Sequence, residues 1–250
     1  MDIQQVIQKF VDLKWLGAAQ MIEGLQIQEP ISTADVLNVL NDIAVTQENY
    51  FAVNRQLRLK KAAKLRWPDA QVEDYDYRCE TKEVQYLIGK ACETNWVKEH
   101  SHQVITGSSG TGKTTLACGI ANKLIMQGFS VKMWRYNDLV FELALHEKEG
   151  TYPQMLRKIC KFNVLVIDDW ALFPLTNKQR QMLYEVIERR EQVGSLIITS
   201  QYDFDKWHEA IGEQTIADAV LDRITAMSDN ITLRGDPKRK SHRAKGGKSC

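Results

Sequence analysis

The 250-residue sequence predicts an α/β fold: a parallel five-stranded sheet flanked by helices, preceded by a small all-α region. From Gln103 onward, short apolar runs alternate with helical stretches, which is typical of a parallel sheet with helices on both faces. Residues 1 to about 66 instead place apolar side chains at helical spacing. The expected strands are 103–106, 130–135, 163–167, 195–200 and 230–233.

The N-terminal region is expected to be helical throughout. Its first helix has apolar residues three or four apart, at Val6, Phe10, Leu13 and Leu16. Pro30 interrupts the chain, and 32–35 (STAD) has the composition of a helix start. A long polar helix from about Asn41 runs into the basic stretch 55–66 and ends before Pro68, since a residue preceding proline avoids the α region. A further helix is expected over roughly 81–99.

These patterns divide the chain into three parts. We expect a helical N-terminal domain and linker over 1–78, an α/β domain over 79–237, and a basic, disordered tail over 238–250.

Composition points to a protein of a reducing cytoplasm with a polyanionic partner. Net charge is only +1, yet residues 55–66 contain six cations and no acid, and the segment from Arg234 carries seven Lys/Arg against one acid. Either basic segment alone is as compatible with a solvated surface. Five cysteines without a C-x-x-C pair indicate neither disulfides nor zinc. No signal peptide and no membrane-spanning run is expected.

A glycine-rich motif joins the first expected strand to a helix. Residues 107–114, GSSGTGKT, fit G-x-x-x-x-G-K-[ST] at every fixed position. Glycines let successive backbone N–H groups point at one anion, and the helix start adds its positive dipole end. The expected nucleotide-binding residues are Gly107, Ser108, Ser109, Gly110, Thr111, Gly112, Lys113, Thr114 and Thr115. Lys113 would reach the β- and γ-phosphates, and Thr114 would bind Mg²⁺, so the sequence predicts binding of a nucleoside triphosphate such as ATP.

Two acids end the third expected strand. Asp168 is placed to hold Mg²⁺ beside Thr114, and Asp169 is the candidate to orient or deprotonate the attacking water. The next strand ends in polar residues that can lie beside the γ-phosphate. We favour Gln201 there, with Thr199 and Ser200 as close competitors.

Arg223 follows Asp222 on an expected helix. An arginine exposed there can enter a neighbouring subunit's site as an arginine finger, or can form a weak intramolecular pair with an aspartate. Spacing alone does not decide between these.

Taken together, several segments resemble the IstB-type ATPases. These are GSSGTGKT, VLVIDDWAL, ITSQY, ADAVLDRIT and LRGDPKRK, with KAAKLRWPDA and EDYDYR before them. IstB-type proteins are AAA+ helpers of bacterial insertion sequences and are related to DnaC-type helicase loaders. The phosphate loop occurs in many nucleotide-binding families, whereas DDWAL and LDR are more specific.

The resemblance implies an AAA+ P-loop ATPase that forms a homo-oligomer, a ring or a helical filament, on double-stranded DNA and works with the transposase of its element. It implies that Lys113, Thr114, Asp168 and Asp169 belong to one subunit and that Arg223 enters from the next. Two positions depart from the pattern, because glutamate often replaces Asp169 and asparagine often replaces Gln201. No lid domain is expected, since only about 17 residues follow the last strand, and Arg239 matches a lid arginine only loosely.

The leading hypothesis is an ATP-switched assembly that binds and bends duplex DNA for transposition. Expected DNA contacts are Lys60, Lys61, Lys64, Arg66, Thr176, Asn177, Lys178 and Arg180. Residues 75–78 are expected to pass near the purine. The alternatives are a DnaC-like loader of a replicative helicase, a small-molecule kinase on the same loop, and a non-hydrolysing structural subunit.

Overall fold

The computed structural model describes residues 3–24 and 33–234, and the chain divides after Arg58 into two compact units. The first unit contains two helices and most of a third: α1 (Ile3–Asp12), α2 (Leu16–Glu23) and α3 (Thr33–Ala63). The helix expected to start near residue 33 and the polar helix expected from about Asn41 are thus one helix, α3.

Small residues let α2 pack closely on α3. A Cβ atom on Gly17 would lie 2.7 Å from the Cβ of Tyr50, so no larger residue fits at this crossing. The backbone N–H of Ala18 donates to Oε1 of Gln47 at 3.1 Å, which satisfies a buried amide between the helices.

The second unit contains the sheet and its covering helices. Its elements are α4 (Lys82–Ala91), α5 (Asn95–Lys98), β1 (His102–Thr106), α6 (Lys113–Met126), β2 (Val131–Arg135), α7 (Tyr136–Lys148), α8 (Tyr152–Cys160), β3 (Val164–Asp168), α9 (Asn177–Arg190), β4 (Ser195–Ser200), α10 (Phe204–Ile211), α11 (Gln214–Thr225) and β5 (Ser228–Thr232). All five predicted strands are confirmed, each to within two residues at either end. The helix expected over 81–99 is two helices, α4 and α5.

The five strands form one parallel sheet in the order β2-β3-β4-β1-β5. Every residue of β1, β3 and β4 is buried, as expected for parallel strands covered on both faces. Alternate residues enter different cores: Ile105 and Val166 pack on the side of α6, whereas Val104 and Leu165 pack on the side of α7, α8 and α9. Since β4 lies between β1 and β3, the polar end of β4 stands between the phosphate loop and the acid pair.

Residues 68–72 pack onto α6 within the second compact unit, and the domain boundary expected at 78 stays a prediction. The side-chain amide of Asn122 donates to the carbonyl oxygens of Pro68 (3.0 Å) and Ala70 (2.8 Å). A Cβ atom on Gly119 would lie 2.8 Å from the backbone nitrogen of Val72, so the glycine permits this close approach.

The description ends two residues after β5, so the expected absence of a lid, the basic tail and Arg239 lie outside the described residues. Across residues 3–24 and 33–234, no helix combines the length and apolarity that crossing a membrane requires.

A buried arginine joins three backbone segments at the amino edge of the sheet. The side chain of Arg190 donates to the carbonyl oxygens of Ile159 (2.8 Å), Phe162 (3.1 Å), Asn163 (3.3 Å) and Ser195 (2.9 Å). The residue is 1% exposed, and this burial lowers its pKa to about 10. Arg190 thereby ties the end of α8 and the approach to β3 to the start of β4.

Replacing Arg190 by methionine should lower the free energy of unfolding by about 2–4 kcal/mol, because several buried carbonyl groups lose charge-assisted hydrogen bonds. Urea unfolding followed by tryptophan fluorescence measures this, since Trp170 and Trp207 are fully buried in the same unit. Arg189→Met is the control: that side chain is 52% exposed and pairs with Glu185 one helix turn away, so we expect a change below about 0.5 kcal/mol. Equal midpoints for the two variants would contradict a structural role of Arg190.

Candidate nucleotide-binding site

The phosphate loop connects β1 to α6 and has the backbone that its glycines allow. Gly107, Gly110 and Gly112 have φ angles of 143°, 89° and 98°. A Cβ atom on Gly107 would lie 2.6 Å from the carbonyl oxygen of Leu233, so that position accepts only glycine. The hydroxyl of Thr111 donates to the carbonyl of Ser108 at 2.9 Å and closes the turn.

The start of α6 is arranged to receive an anion. Its N-cap, Gly112, has no side chain to hydrogen-bond the first-turn N–H groups, whereas Thr176 caps α9 through its hydroxyl. Helix N–H groups without a side-chain acceptor, at the positive end of the helix dipole, favour phosphate. The buried ammonium group of Lys113 donates to the carbonyl oxygens of Gly107 (2.7 Å) and Ser108 (2.8 Å), so it lies along the loop.

The residues expected to hold Mg²⁺ are in direct contact. Asp168, at the carboxyl end of β3, is fully buried, and its Oδ1 accepts hydrogen bonds from the hydroxyls of Thr114 (2.7 Å) and Thr199 (2.6 Å). A hydroxyl and a carboxylate that meet beside a phosphate loop are oxygen ligands suited to Mg²⁺, which keeps several waters and takes few protein ligands. Consistent with so sparse a site, the described residues contain no group of three His, Cys, Asp or Glu side chains placed to bind a metal.

The turn after β3 is strained and held in place by neighbouring groups. Asp169 and Ala171 have φ angles of 58° and 60°, which are unfavourable for residues with a side chain. Between them, the side chain of Trp170 is fully buried, and its backbone N–H donates to the carbonyl of Thr199 at 2.8 Å. The Trp170 ring packs between two further rings, with centroids 5.1 Å from Tyr136 and 5.5 Å from Trp207. This packing anchors the turn that carries Asp169.

At the end of β4, the structure brings Thr199 to the acids. Its hydroxyl donates to Asp168 and accepts the backbone N–H of Asp169 at 3.1 Å. The hydroxyl of Ser200 instead donates to the carbonyl of Trp170 (3.1 Å), and Gln201 is exposed beyond the strand. The favoured position, Gln201, is therefore not the residue that the structure places against the acid pair.

Two arginines lie on the acid pair. Arg66, expected as a DNA contact, places its Nη1 3.3 Å from Oδ2 of Asp168 and 3.9 Å from Oδ2 of Asp169. Arg135, the last residue of β2, places Nη2 3.1 Å from Oδ2 of Asp169 and is in register with Asp168. Arg135 was missed, although the common carboxyl edge of neighbouring parallel strands is a signal that could have identified it.

An aromatic segment flanks the loop. A Cβ atom on Gly112 would lie 3.2 Å from the ring of Tyr75, whose hydroxyl donates to Glu80 at 2.6 Å. Tyr77 meets the Tyr75 ring edge-on, with centroids 5.3 Å apart. The segment expected near the purine therefore reaches the loop.

Arg223 lies near the amino ends of the strands, opposite to the end that carries the phosphate loop. Its Nε is 3.1 Å from Glu191 and its Nη2 3.7 Å from Glu188, and the guanidinium stacks 5.2 Å from the Tyr184 ring centre. The partners are thus Glu188 in α9 and Glu191 directly after it, not an adjacent aspartate. The backbone of Arg223 contacts the buried ring of His102, at the first position of β1, where burial lowers the histidine pKa to about 4. Since the phosphate loop follows the last position of β1, Arg223 is remote from its own loop.

The other expected DNA contacts fall in two places. Lys60 pairs with Asp69 at 2.9 Å, and Lys61 and Lys64 are exposed nearby at the end of α3. The remainder surround the start of α9: Thr176 caps the helix, Lys178 pairs with Glu147 at 2.7 Å, and Arg180 donates to Asn177 at 2.7 Å. Thr176, Arg180, Lys60 and Lys178 therefore have partners within the chain, and Lys61 and Lys64 are exposed to solvent.

Comparison with known proteins identifies a family of ATP-binding proteins. Residues 11–246 match the family of IstB-like ATP binding proteins. A protein of Sinorhizobium fredii named as an insertion sequence ATP-binding protein is 36% identical over 87% of each chain. A protein of Pseudomonas aeruginosa with that description, from IS21, is 26% identical over 75% of this chain and 70% of its own.

Solved structures support the fold. The DnaC helicase loader superposes with a TM-score of 0.59 at 22% identity, covering 68% of this chain and 99% of that one. DnaA from Aquifex aeolicus, bound to AMPPCP, gives 0.57 at 18% identity over 73% and 57%. The glycine loop, the sheet order and the match along nearly the whole sequence lead to one conclusion: the chain belongs to the IstB-like ATP-binding family and has the AAA+ P-loop fold.

Proposed function

We propose that this protein is a Mg²⁺-dependent ATPase that assembles on duplex DNA and assists the transposase of an insertion sequence. The observation that supports hydrolysis most directly is the contact of Thr114, Asp168 and Thr199 at the mouth of the phosphate loop. The context of transposition comes from relatives named as insertion sequence ATP-binding proteins.

In the proposed reaction, the loop N–H groups and Lys113 bind the phosphates, and Thr114 and Asp168 hold the metal. Mg²⁺ supplies neutralisation of the phosphate charge. Asp169 orients the attacking water and accepts its proton, from a turn that the buried Trp170 anchors. Thr199 positions both acids, since its hydroxyl bonds to Asp168 and to the backbone of Asp169.

Thr199→Val should lower kcat by about 10–100-fold with a smaller effect on KM, because a misplaced catalytic group costs rate more than binding. Thr199→Ser should restore turnover, since it returns the hydroxyl. Gln201→Ala is the matched control and should remain within about two-fold of the unaltered protein, because its side chain is exposed. Steady-state phosphate release measures all three, and the opposite ranking of Val and Ala variants would return the polar role to Gln201.

Arg223 is proposed to complete the site of a neighbouring subunit. The proposal is supported by the position of Arg223 at the amino ends of the strands, remote from its own loop, where Glu188 and Glu191 pair with a guanidinium that is partly exposed. An arginine supplied in this way stabilises the charge of the transferring phosphoryl group.

Arg223→Ala should retain ATP affinity and lose about 10³-fold in hydrolysis. Mixing this variant with Asp169→Asn subunits should restore turnover, because an intact loop then meets an intact arginine. Mixing it with the double variant Asp169→Asn/Arg223→Ala should not. Arg189→Ala, an exposed arginine paired on α9, is the single-site control. Failure of the mixture to recover would exclude action between subunits.

The DNA surface is proposed to include the basic end of α3. Phosphate contacts by Lys60, Lys61 and Lys64 would release counterions and give affinity that does not depend on sequence. Many such contacts could offset a bending cost of about 1–6 kcal/mol for a site of 20–30 base pairs. Hydrolysis would then release the assembly when the transposase arrives.

Alanine at Lys60, Lys61 and Lys64 together should weaken duplex binding for all sequences and reduce the slope of log affinity against log salt by about 3. The exposed lysines Lys82, Lys98 and Lys161 provide a control triple with the same change in charge. Filter binding measures both, with ADP and with a non-hydrolysable ATP analogue. Equal affinity of the unaltered protein with the two nucleotides would exclude the switch, and equal slopes for both triples would exclude this surface.

The alternative function is loading of a replicative helicase. It is favoured by the structural likeness to the DnaC loader, nearly all of which is covered, although that likeness establishes only the fold. Preference for single-stranded over duplex DNA would support the loader and count against the transposition helper.

A further inference from the structure

Arg66 connects the basic end of α3 to the acid pair. It lies three residues after α3 ends, and its backbone N–H donates to the sulfur of Met133 in β2 at 3.3 Å. Its guanidinium then reaches Oδ2 of Asp168 at 3.3 Å, although 102 residues separate the two in sequence. The Arg66 side chain is 37% exposed, whereas that of Asp168 is 0% exposed.

The Asp168 carboxylate divides its two oxygens between different partners. Oδ1 accepts the hydroxyls of Thr114 and Thr199, which are neutral donors. Oδ2 receives the positive charge of Arg66. A buried carboxylate without a compensating cation is strongly disfavoured, and Arg66 supplies that cation.

A metal ion bound by Thr114 and Asp168 would bring a second cation to the same carboxylate. The guanidinium and the metal would repel each other across a few ångströms in a partly desolvated site. Each would lower the affinity of Asp168 for the other. Arg135 does not share this conflict, because its guanidinium contacts Asp169.

We propose that Arg66 is a positioning residue that competes with Mg²⁺ for Asp168, so that arrival of the metal with ATP releases the arginine from the acid pair. This rests on the proposed ATP site and adds a regulated contact to it. Because Lys64 precedes Arg66 by two residues, the exchange links metal binding to the proposed DNA surface.

The test measures how strongly Mg²⁺ tightens nucleotide binding. The dissociation constant of a fluorescent, non-hydrolysable ATP analogue is determined in EDTA and in excess Mg²⁺. The constant in EDTA divided by the constant in Mg²⁺ measures how strongly the metal tightens nucleotide binding. In Arg66→Gln and Arg66→Met, which remove the competing charge, this ratio should rise about five-fold above that of the unaltered protein, as expected for a partly exposed ion pair of about 1 kcal/mol. Arg66→Lys, which keeps the charge, should stay near the original ratio.

Arg157→Gln, at an exposed position of α8, controls for loss of one positive charge and should leave the ratio unchanged. Using two neutral variants keeps the test valid if one of them folds poorly, which circular dichroism would reveal. A ratio that is unchanged or lower in the folded neutral variant overturns the competition and identifies Arg66 as a phosphate or structural contact. Absence of any Mg²⁺ effect in the unaltered protein overturns the proposed ATP site as well, so the two failures are distinguishable.

Discussion

The candidate site depends on one arrangement: the polar end of β4 stands between the strand that carries the phosphate loop and the strand that carries the acids. The sheet order β2-β3-β4-β1-β5 creates this separation. It leaves room for Thr199 to bond to Asp168 and to the backbone of Asp169 while Thr114 reaches Asp168 from the loop. If β1 and β3 were adjacent, loop and acid pair would meet without a polar group between them.

That arrangement requires the chain to reverse sharply after β3, and the reversal is energetically unfavourable by itself. Two residues with side chains, Asp169 and Ala171, adopt left-handed conformations, at a cost of about 1–2 kcal/mol each. The burial of Trp170 between Tyr136 and Trp207 offsets this cost, since a fully buried aromatic residue contributes a few kcal/mol. The packing of Trp170 in the core of α7–α10 thus stabilises the strained turn that carries Asp169.

The parts of this protein that sequence predicts well are those set by local pattern. The buried strands β3 and β4 read as apolar runs, whereas the partly exposed β5 was located by its place in the alternation of strands and helices. The loop motif specifies its own backbone through glycine. Contacts that depend on distant segments were not accessible: nothing local to Arg66 indicates that it meets Asp168, because the path of residues 59–78 is set by packing on α6. The choice of Gln201 over Thr199 and Ser200 as the polar residue stays a prediction, although it is the Thr199 hydroxyl that contacts Asp168. β4 ends at Ser200, as predicted, but a local pattern does not indicate which polar side chain at the strand end meets the acids, because Asp168 and Asp169 belong to a distant segment.

The carboxyl ends and the amino ends of the strands carry different functional residues, and this limits how the proposed ATPase can assemble. Lys113, Asp168 and Asp169 lie at the carboxyl edge, whereas Arg223 lies beside His102 at the amino edge, separated by the five residues of β1, about 13–17 Å. Each subunit carries the loop at the carboxyl ends of its strands and the arginine at the amino ends. A contact between the loop of one subunit and the arginine of the next joins two different surfaces, so a two-fold axis with one shared site cannot relate the two subunits. Head-to-tail contacts of this kind either close into a ring or continue as a helix. A helical array would repeat the basic end of α3 at a regular spacing along the duplex, so each added subunit would contribute its own phosphate contacts to the binding of DNA.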